Sequence, residues 1–321
     1  MLNNSMDLNF KLYFLTESSI KSIRWEDIDH QAGQRLGGMG SEAIYRAPLV
    51  SNPGKTVVVK KNRNEEATVS EYLGTKLFNA LSMEGVQAPE MILVDSGGQL
   101  HIVMEDFGQY PTMRNVLDQG DWKQVRQANK QIMDTASVAH AFLDSRDIKN
   151  AGNTIIDRDN KKVYQIDISG LAKTAHGADR WPDSPVGGGY GAGRRASDKG
   201  FGPKIRDLYH SIRYNKDNLG PQVNKDTGEI EHHGMHGNPN LPPAQRNESL
   251  ITQIDHILTQ QKAVDEIFKE VIAEIKERPS VKYVRDVQGV IYQRFEQLGL
   301  IKNLLQKMSL EDIANTTDLF S

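Results

Sequence analysis

The sequence predicts a two-lobed α+β fold, with a small β-rich N-terminal lobe over residues 1–104 and a larger, mostly helical C-terminal lobe over 105–321. Three observations carry this. Short β-like runs separated by Gly, Asn, Pro and Ser fill the stretch from Ile23 to Val103, with one helical stripe among them. A long helical stripe begins near Asp121 and runs into a polar segment followed by a hairpin. The C-terminal part from Ser249 onward returns to apolar helical periodicity.

In order along the chain, strands are expected around Leu36–Tyr45, Thr56–Lys60, Met91–Val94 and His101–Met104. Between the second and third lies a helix that Asn64 would cap, with Val69, Leu73, Leu77 and Ala80 recurring at helical spacing through Leu81. Val125, Ile132, Ala136, Ala139 and Leu143 form one stripe, so a single helix is expected over Asp121–Leu143. Thr154–Ile156 and Val163–Ile166 read as a hairpin around the turn-rich Asp157–Lys162. Residues 174–243 shift to Gly, Asn, Pro, His and Arg, which predicts long loops with a short helix near Lys204–Tyr214. Ser249–Ile275 and Val284–Met308 are expected as helices divided at Arg278, Pro279 and Ser280.

Composition excludes several functions. The 39 basic and 42 acidic residues leave a formal charge of −3, so no global attraction to nucleic acid or anionic membrane is expected. The chain has no cysteine, which removes disulfides, thiolate metal sites and a cysteine nucleophile. No apolar run reaches the length of a membrane span and no cleaved leader is legible, so a cytoplasmic protein is expected. Delivery into a host cytoplasm by a route that needs no such leader stays open. His232, His233 and His236 lie among glycines and prolines, which favours a loop over a zinc site. Trp25, Trp122 and Trp181 are too dispersed for a recognisable stacking platform.

The chemistry-bearing residues recur in a particular order. In LGGMGSEAIYRA, residues 36–47, Gly37, Gly38, Gly40 and Ser41 fall between β-like segments, where backbone N–H groups can approach phosphate oxygens. VVVKK comes next, with Val57 and Val59 on one strand face and Val58 and Lys60 on the other. The next helix carries Glu66 and Glu71 as alternative partners for Lys60; Glu71 is preferred because the helix dipole already accounts for an acid in the first turn. In DSRDIKNAGNTIIDRDNKKVYQIDISG, residues 144–170, an Arg146–Asp147 pair precedes Asn153, the hairpin and then Asp167. Phosphoryl transfer calls for these residue types: one aspartate near the acceptor hydroxyl, and an asparagine and an aspartate as hard oxygen ligands for magnesium.

This order resembles the protein kinase superfamily, including its atypical and phosphoinositide-kinase-like branches, over about residues 30–172. The resemblance implies a kinase-like fold using ATP with Mg2+ or Mn2+. Lys60 would contact phosphates, Glu71 would orient Lys60, Asn153 and Asp167 would hold metal, and Asp147 would align the acceptor. Met104, Glu105 and Phe107, in VMEDF, resemble the hinge that receives adenine. A protein substrate is implied, with lipid and small-molecule kinases, a nucleotide-binding pseudokinase and nucleotidyl transfer to protein as alternatives. One departure concerns the loop, where the interval from Asp147 to Asn153 is one residue longer than the family's, leaving Asp144 as an alternative base and Asn150 as an alternative metal ligand. The interval from Lys60 to Glu71 is short for the family. Arg194, Arg195, Lys199, Lys204, Arg206, Arg213 and Lys216 form a basic stretch, by default a solvated face, that is also a candidate polyanion site. Its position resembles bacterial effector kinases of the Legionella type that respond to inositol hexakisphosphate. An inositol polyphosphate or phosphoinositide ligand is therefore expected there.

Overall fold

Alternating apolar residues on paired strands build the first half of the molecule. The computed structural model describes residues 20–36, 41–143, 151–168, 171, 221–223, 230–235 and 243–308. The chain divides into two compact units, Met1–Tyr72 with Pro89–Gly108, and Leu73–Ala88 with Gln109–Ser321.

In the first unit β1 (Gln34–Arg35), β2 (Ser41–Leu49), β3 (Asn52–Asn62), β5 (Met91–Ser96) and β6 (Gln99–Glu105) form a five-stranded sheet in the order β1-β2-β3-β6-β5. Every pairing in it is antiparallel. Strand β3 sits at its centre, so Val57 and Val59 are fully buried in a cluster with Ile20, Ile23, Ile28, Ala47 and Val103. Strand alternation puts Lys60 on the face opposite to those valines. Trp25 stacks between His30 and His101, with ring centroids 3.9 and 4.4 Å away. Its stacking partners are histidines far apart in sequence, so a search among tryptophans alone does not reveal the arrangement.

Helix α1 (Glu65–Leu81) begins where predicted, since Asn64 Oδ1 accepts the Ala67 N–H at 2.8 Å. The division between the units falls within it.

In the second unit β4 (Val86–Gln87) pairs parallel to β8 (Lys162–Gln165), which pairs antiparallel with β7 (Thr154–Asp157). The helices are α2 (Met113–Asp118), α3 (Trp122–Thr135), α4 (Ser137–Leu143), α5 (Pro243–Thr259), α6 (Gln261–Glu274) and α7 (Ser280–Leu305). Helix α2 has no long stripe to announce it; Thr112 caps it in a reciprocal arrangement with Asn115.

The single helix expected over Asp121–Leu143 is two. Ala136 leaves helical geometry, at φ −137° and ψ −6°. The Gln253 side chain enters at the break, where its oxygen accepts the Val138 N–H at 3.0 Å and its amide donates to the Met133 carbonyl at 2.8 Å. A buried side chain from α5 thus satisfies backbone groups that the interruption frees. The expected Ser249–Ile275 helix likewise divides at Gln260, and the expected loop region contains a hairpin of β9 (Pro221–Val223) and β10 (Ile230–Met235). His232 and His233 lie on β10, whereas His236, the short helix near Lys204–Tyr214 and the basic stretch from Arg194 to Lys216 lie outside the described residues. Among the described residues no helix is long and apolar enough to cross a membrane.

One core residue gives the second unit a pH-dependent stability. His140 on α4 is completely buried against Phe78 of α1, with ring centroids 4.5 Å apart. Among the described residues neither of its ring nitrogens has a hydrogen-bond partner. Burial pulls the imidazole down from 6.5 to about 3. The unfolded chain therefore binds a proton that the folded chain refuses, and stability falls as pH drops from 6.5 toward 3. Urea titrations between those limits should show a slope approaching ~1.4 kcal/mol per pH unit more in wild type than in His140→Leu; parallel slopes would contradict this placement.

Candidate active site

Two groups of residues form, one in each unit. In the first unit Lys60 Nζ lies 2.8 Å from Glu71 Oε1 and 2.7 Å from Oε2, a charged pair of which Lys60 is 7% exposed and Glu71 1%. Sheet periodicity explains the meeting, because Lys60 and Asn62 share the face of β3 opposite the valine cluster. Asn62 Nδ2 donates to Glu71 Oε2 at 3.2 Å, a partner that sequence spacing alone does not single out. Glu66 lies in the exposed first turn of α1. A desolvated ion pair costs several kcal/mol unless charge and hydrogen bonds compensate it, so such pairs are weak devices for stability. This one holds an ammonium in a fixed direction at the centre of the sheet.

Ser41 opens β2, opposite Asn62 in the ladder, while Gly37, Gly38 and Gly40 lie outside the described residues. Met104 is buried on β6, and Glu105 ends that strand with its N–H donating to the Glu90 carbonyl at 3.2 Å. Phe107 is half-buried in the segment beyond it. Between them Asp106, unremarked in the sequence, binds back to the sheet. Arg46 Nε and Nη2 donate to its two oxygens at 2.5 and 3.0 Å, and Thr56 Oγ1 donates at 2.6 Å.

In the second unit the hairpin does the positioning. Thr154 pairs with Gln165, and the Ile166 N–H donates to the Asn153 carbonyl at 2.9 Å. The ladder therefore sets Asn153 and Asp167 at the same end of the hairpin. Asn153 is buried in a single 3-10 turn, Ala151–Asn153. Asp167 has φ +60°, a left-handed conformation in which a non-glycine residue stores about 1 kcal/mol or more. The next residue, Ile168, is buried, and its carbonyl comes so close to α1 that a Cβ on Gly74 would lie 2.2 Å from it. Gly74 is thus required by close approach.

Helix α7 braces the flanks. Tyr283 Oη donates to the Leu171 carbonyl at 2.8 Å, and Arg294 Nη1 donates to the Phe142 carbonyl at the end of α4. Asp144, Asp147 and Asn150 lie outside the described residues. A cleft of about 320 Å³ between α3 and the hairpin turn is lined by both signs of charge, and it lies at the end of the hairpin opposite Asn153 and Asp167.

Among the described residues no cluster of three or more His, Asp or Glu could hold a metal alone. The oxygens of Asn153 and Asp167 suit magnesium, which keeps several waters and takes one or two carboxylates together with phosphate oxygens.

A central β3 lysine paired to a helix glutamate, followed by a hairpin with an asparagine before it and an aspartate after it, is the order of parts in a kinase. The fold is α+β and kinase-like. No protein-family model matches the chain, and no curated protein matches it. Solved structures do. The Helicobacter pylori proinflammatory kinase CtkA is similar at 12% identity and TM-score 0.48, over 88% of this chain and 96% of that one. The maize SIRK1 (sucrose-induced receptor kinase 1) kinase domain bound to AMP-PNP is similar at 12% identity and TM-score 0.40, over 85% and 97%. The pseudokinase domain of BIR2, an immune regulator of the RLK/Pelle family, is similar at 13% identity and TM-score 0.34, over 92% and 85%. The bound AMP-PNP and the pseudokinase designation belong to those proteins, and at such identities no residue's role carries across.

Breaking the buried pair has a measurable cost. Lys60→Met alone should destabilise the chain by about 3 kcal/mol in urea titrations, because the buried Glu71 carboxylate then loses the Lys60 ammonium. Adding Glu71→Leu should recover much of that loss. Strictly additive losses would contradict the pair.

Proposed function

We propose that this chain is an ATP-dependent phosphotransferase, an atypical serine/threonine protein kinase that transfers the γ-phosphoryl group to a protein hydroxyl. The observation that carries the reading is the buried Lys60–Glu71 pair, since a lysine held by a helix glutamate on the central strand is what aligns nucleotide phosphates in kinases. Asn153 and Asp167, set at one end of a hairpin, support it.

In this reading Lys60 neutralises phosphate oxygens from a direction fixed by Glu71 and Asn62. Gly37, Gly38, Gly40 and Ser41 cover the phosphates, and Met104, Glu105 and Phe107 receive adenine. Asn153 and Asp167 would hold Mg2+ or Mn2+, which would supply charge neutralisation to the phosphate oxygens. The acceptor oxygen bonds to the γ-phosphorus as the bond to the β,γ-bridging oxygen breaks and ADP leaves. Asp147 takes the hydroxyl proton. Positioning and charge neutralisation supply most of the rate. Residues 1–104 form the N-lobe in this reading and 105–321 the C-lobe, and the basic stretch Arg194, Arg195, Lys199, Lys204, Arg206 and Arg213 is the place for a phosphate-rich activator such as an inositol polyphosphate.

The interval between Asp147 and Asn153 favours a second reading, a pseudokinase that binds nucleotide without efficient transfer. Incubation with γ-labelled ATP and magnesium, with and without inositol polyphosphates and a cell extract, separates the two. The kinase reading expects label in protein that falls at least a hundredfold in Asp167→Asn, a substitution that keeps tolerance for the left-handed backbone. Label that moves to lipid would indicate a lipid kinase. No label from folded wild-type protein under any condition would overturn the kinase reading in favour of the pseudokinase.

A further inference from the structure

The segment that leaves the sheet after Glu105 is tied down by one carboxylate. Asp106 has a side chain only 6% exposed and accepts four hydrogen bonds: two from Arg46 on β2, one from Thr56 on β3 and one from the Gly108 N–H at 2.9 Å. The preceding residue is fixed too, since the Glu105 N–H donates to the Glu90 carbonyl and its carboxylate accepts the Glu90 N–H, each at 3.2 Å. Chain leaving an edge of regular structure ordinarily frays; here it is bonded to two different strands within one residue of the last ladder pair, Val57 with Glu105.

The electrostatics fit a permanent clamp. Burial alone would push the Asp106 acid upward, but the hydrogen bonds from Arg46 and Thr56 and the guanidinium charge outweigh it and hold the carboxyl below its ordinary value. The carboxylate is thus charged throughout the neutral range. Space is closed around it as well. A Cβ on Gly108 would lie 2.0 Å from Arg46 Nη2, so residue 108 must be glycine for the guanidinium to sit where it does.

We propose that Asp106, clamped by Arg46 and Thr56 and closed over by Gly108, is a positioning residue that fixes the Glu105–Phe107 backbone for recognition of a purine base. The inference rests on the nucleotide reading and adds a determinant of base recognition to it. A planar heterocycle is read along its edge by backbone C=O and N–H groups, whose directions must be held to a fraction of an ångström. A side chain with four bonds to strands and linker does this without touching the base. Lys60 acts on the other end of the nucleotide, so the two contributions are separable.

Calorimetric titration of the full chain with adenosine, ATP and inorganic tripolyphosphate tests this, with folding of each variant checked by thermal melting. Asp106→Asn, which keeps shape but loses charge, and Gly108→Ala, which displaces the guanidinium while leaving Asp106 intact, should each weaken adenosine and ATP by about tenfold, roughly one lost hydrogen bond. Tripolyphosphate affinity should be unchanged. Lys60→Met should do the reverse, sparing adenosine and weakening tripolyphosphate. Folded Asp106 and Gly108 variants with wild-type adenosine affinity, or with equal losses for tripolyphosphate, would overturn the inference alone. A wild-type chain that binds neither adenosine nor ATP would overturn the nucleotide reading and this inference with it.

Discussion

A lysine ammonium and a glutamate carboxylate removed from water 2.7 Å apart impose the central constraint on this molecule. Neither charge tolerates burial alone, so β3 and α1 must keep one relative placement for both to be satisfied. The requirement explains the local sequence. Three valines before Lys60 make a strand that is stable at the centre of a sheet, alternation turns the lysine away from the apolar cluster, and Asn62 two residues on adds a donor to the same carboxylate. Glu71 lies on the very next helix, capped by Asn64, so the pair is made between elements adjacent in sequence.

The second unit solves a different problem, that of presenting two oxygen-bearing side chains from segments on either side of a turn. A hairpin with a short ladder does this with few residues, and the Ile166 to Asn153 backbone bond extends its register by one step. Beyond the hairpin the chain is strained, with Asp167 in a left-handed conformation and Ile168 pressed against a glycine of α1. Strain held in place by surrounding packing is frequent where a side chain must point in one direction. Helix α7, far along the sequence, contributes that packing through Tyr283 and Arg294.

Much of this was legible in the sequence, and the exceptions share a cause. The strands around Lys60, the helix after it and the Thr154–Ile166 hairpin are local, each written in periodicity, a cap or a turn. The breaks at Ala136 and Gln260 were not, because an apolar stripe continues across them and Gln253, which satisfies the first break, lies on a distant helix. Helix α2 is too short for a stripe to show. Asn62, Asp106 and Gly74 were hidden for the same reason: their partners Glu71, Arg46 and Ile168 become neighbours only through tertiary structure. Two adjacent acids, Glu105 and Asp106, between the apolar Met104 and Phe107 were the available signal for Asp106.

The proposed kinase function requires Asn153 and Asp167 to supply oxygen ligands to a metal bound together with ATP. Titration of Mn2+ followed by electron paramagnetic resonance, with and without ATP, tests it most directly. Wild type should take up manganese tightly only when ATP is present, and Asp167→Asn and Asn153→Ala should each weaken this uptake at least tenfold while leaving the fold intact. Manganese uptake that ignores ATP, or that survives both substitutions, would contradict it.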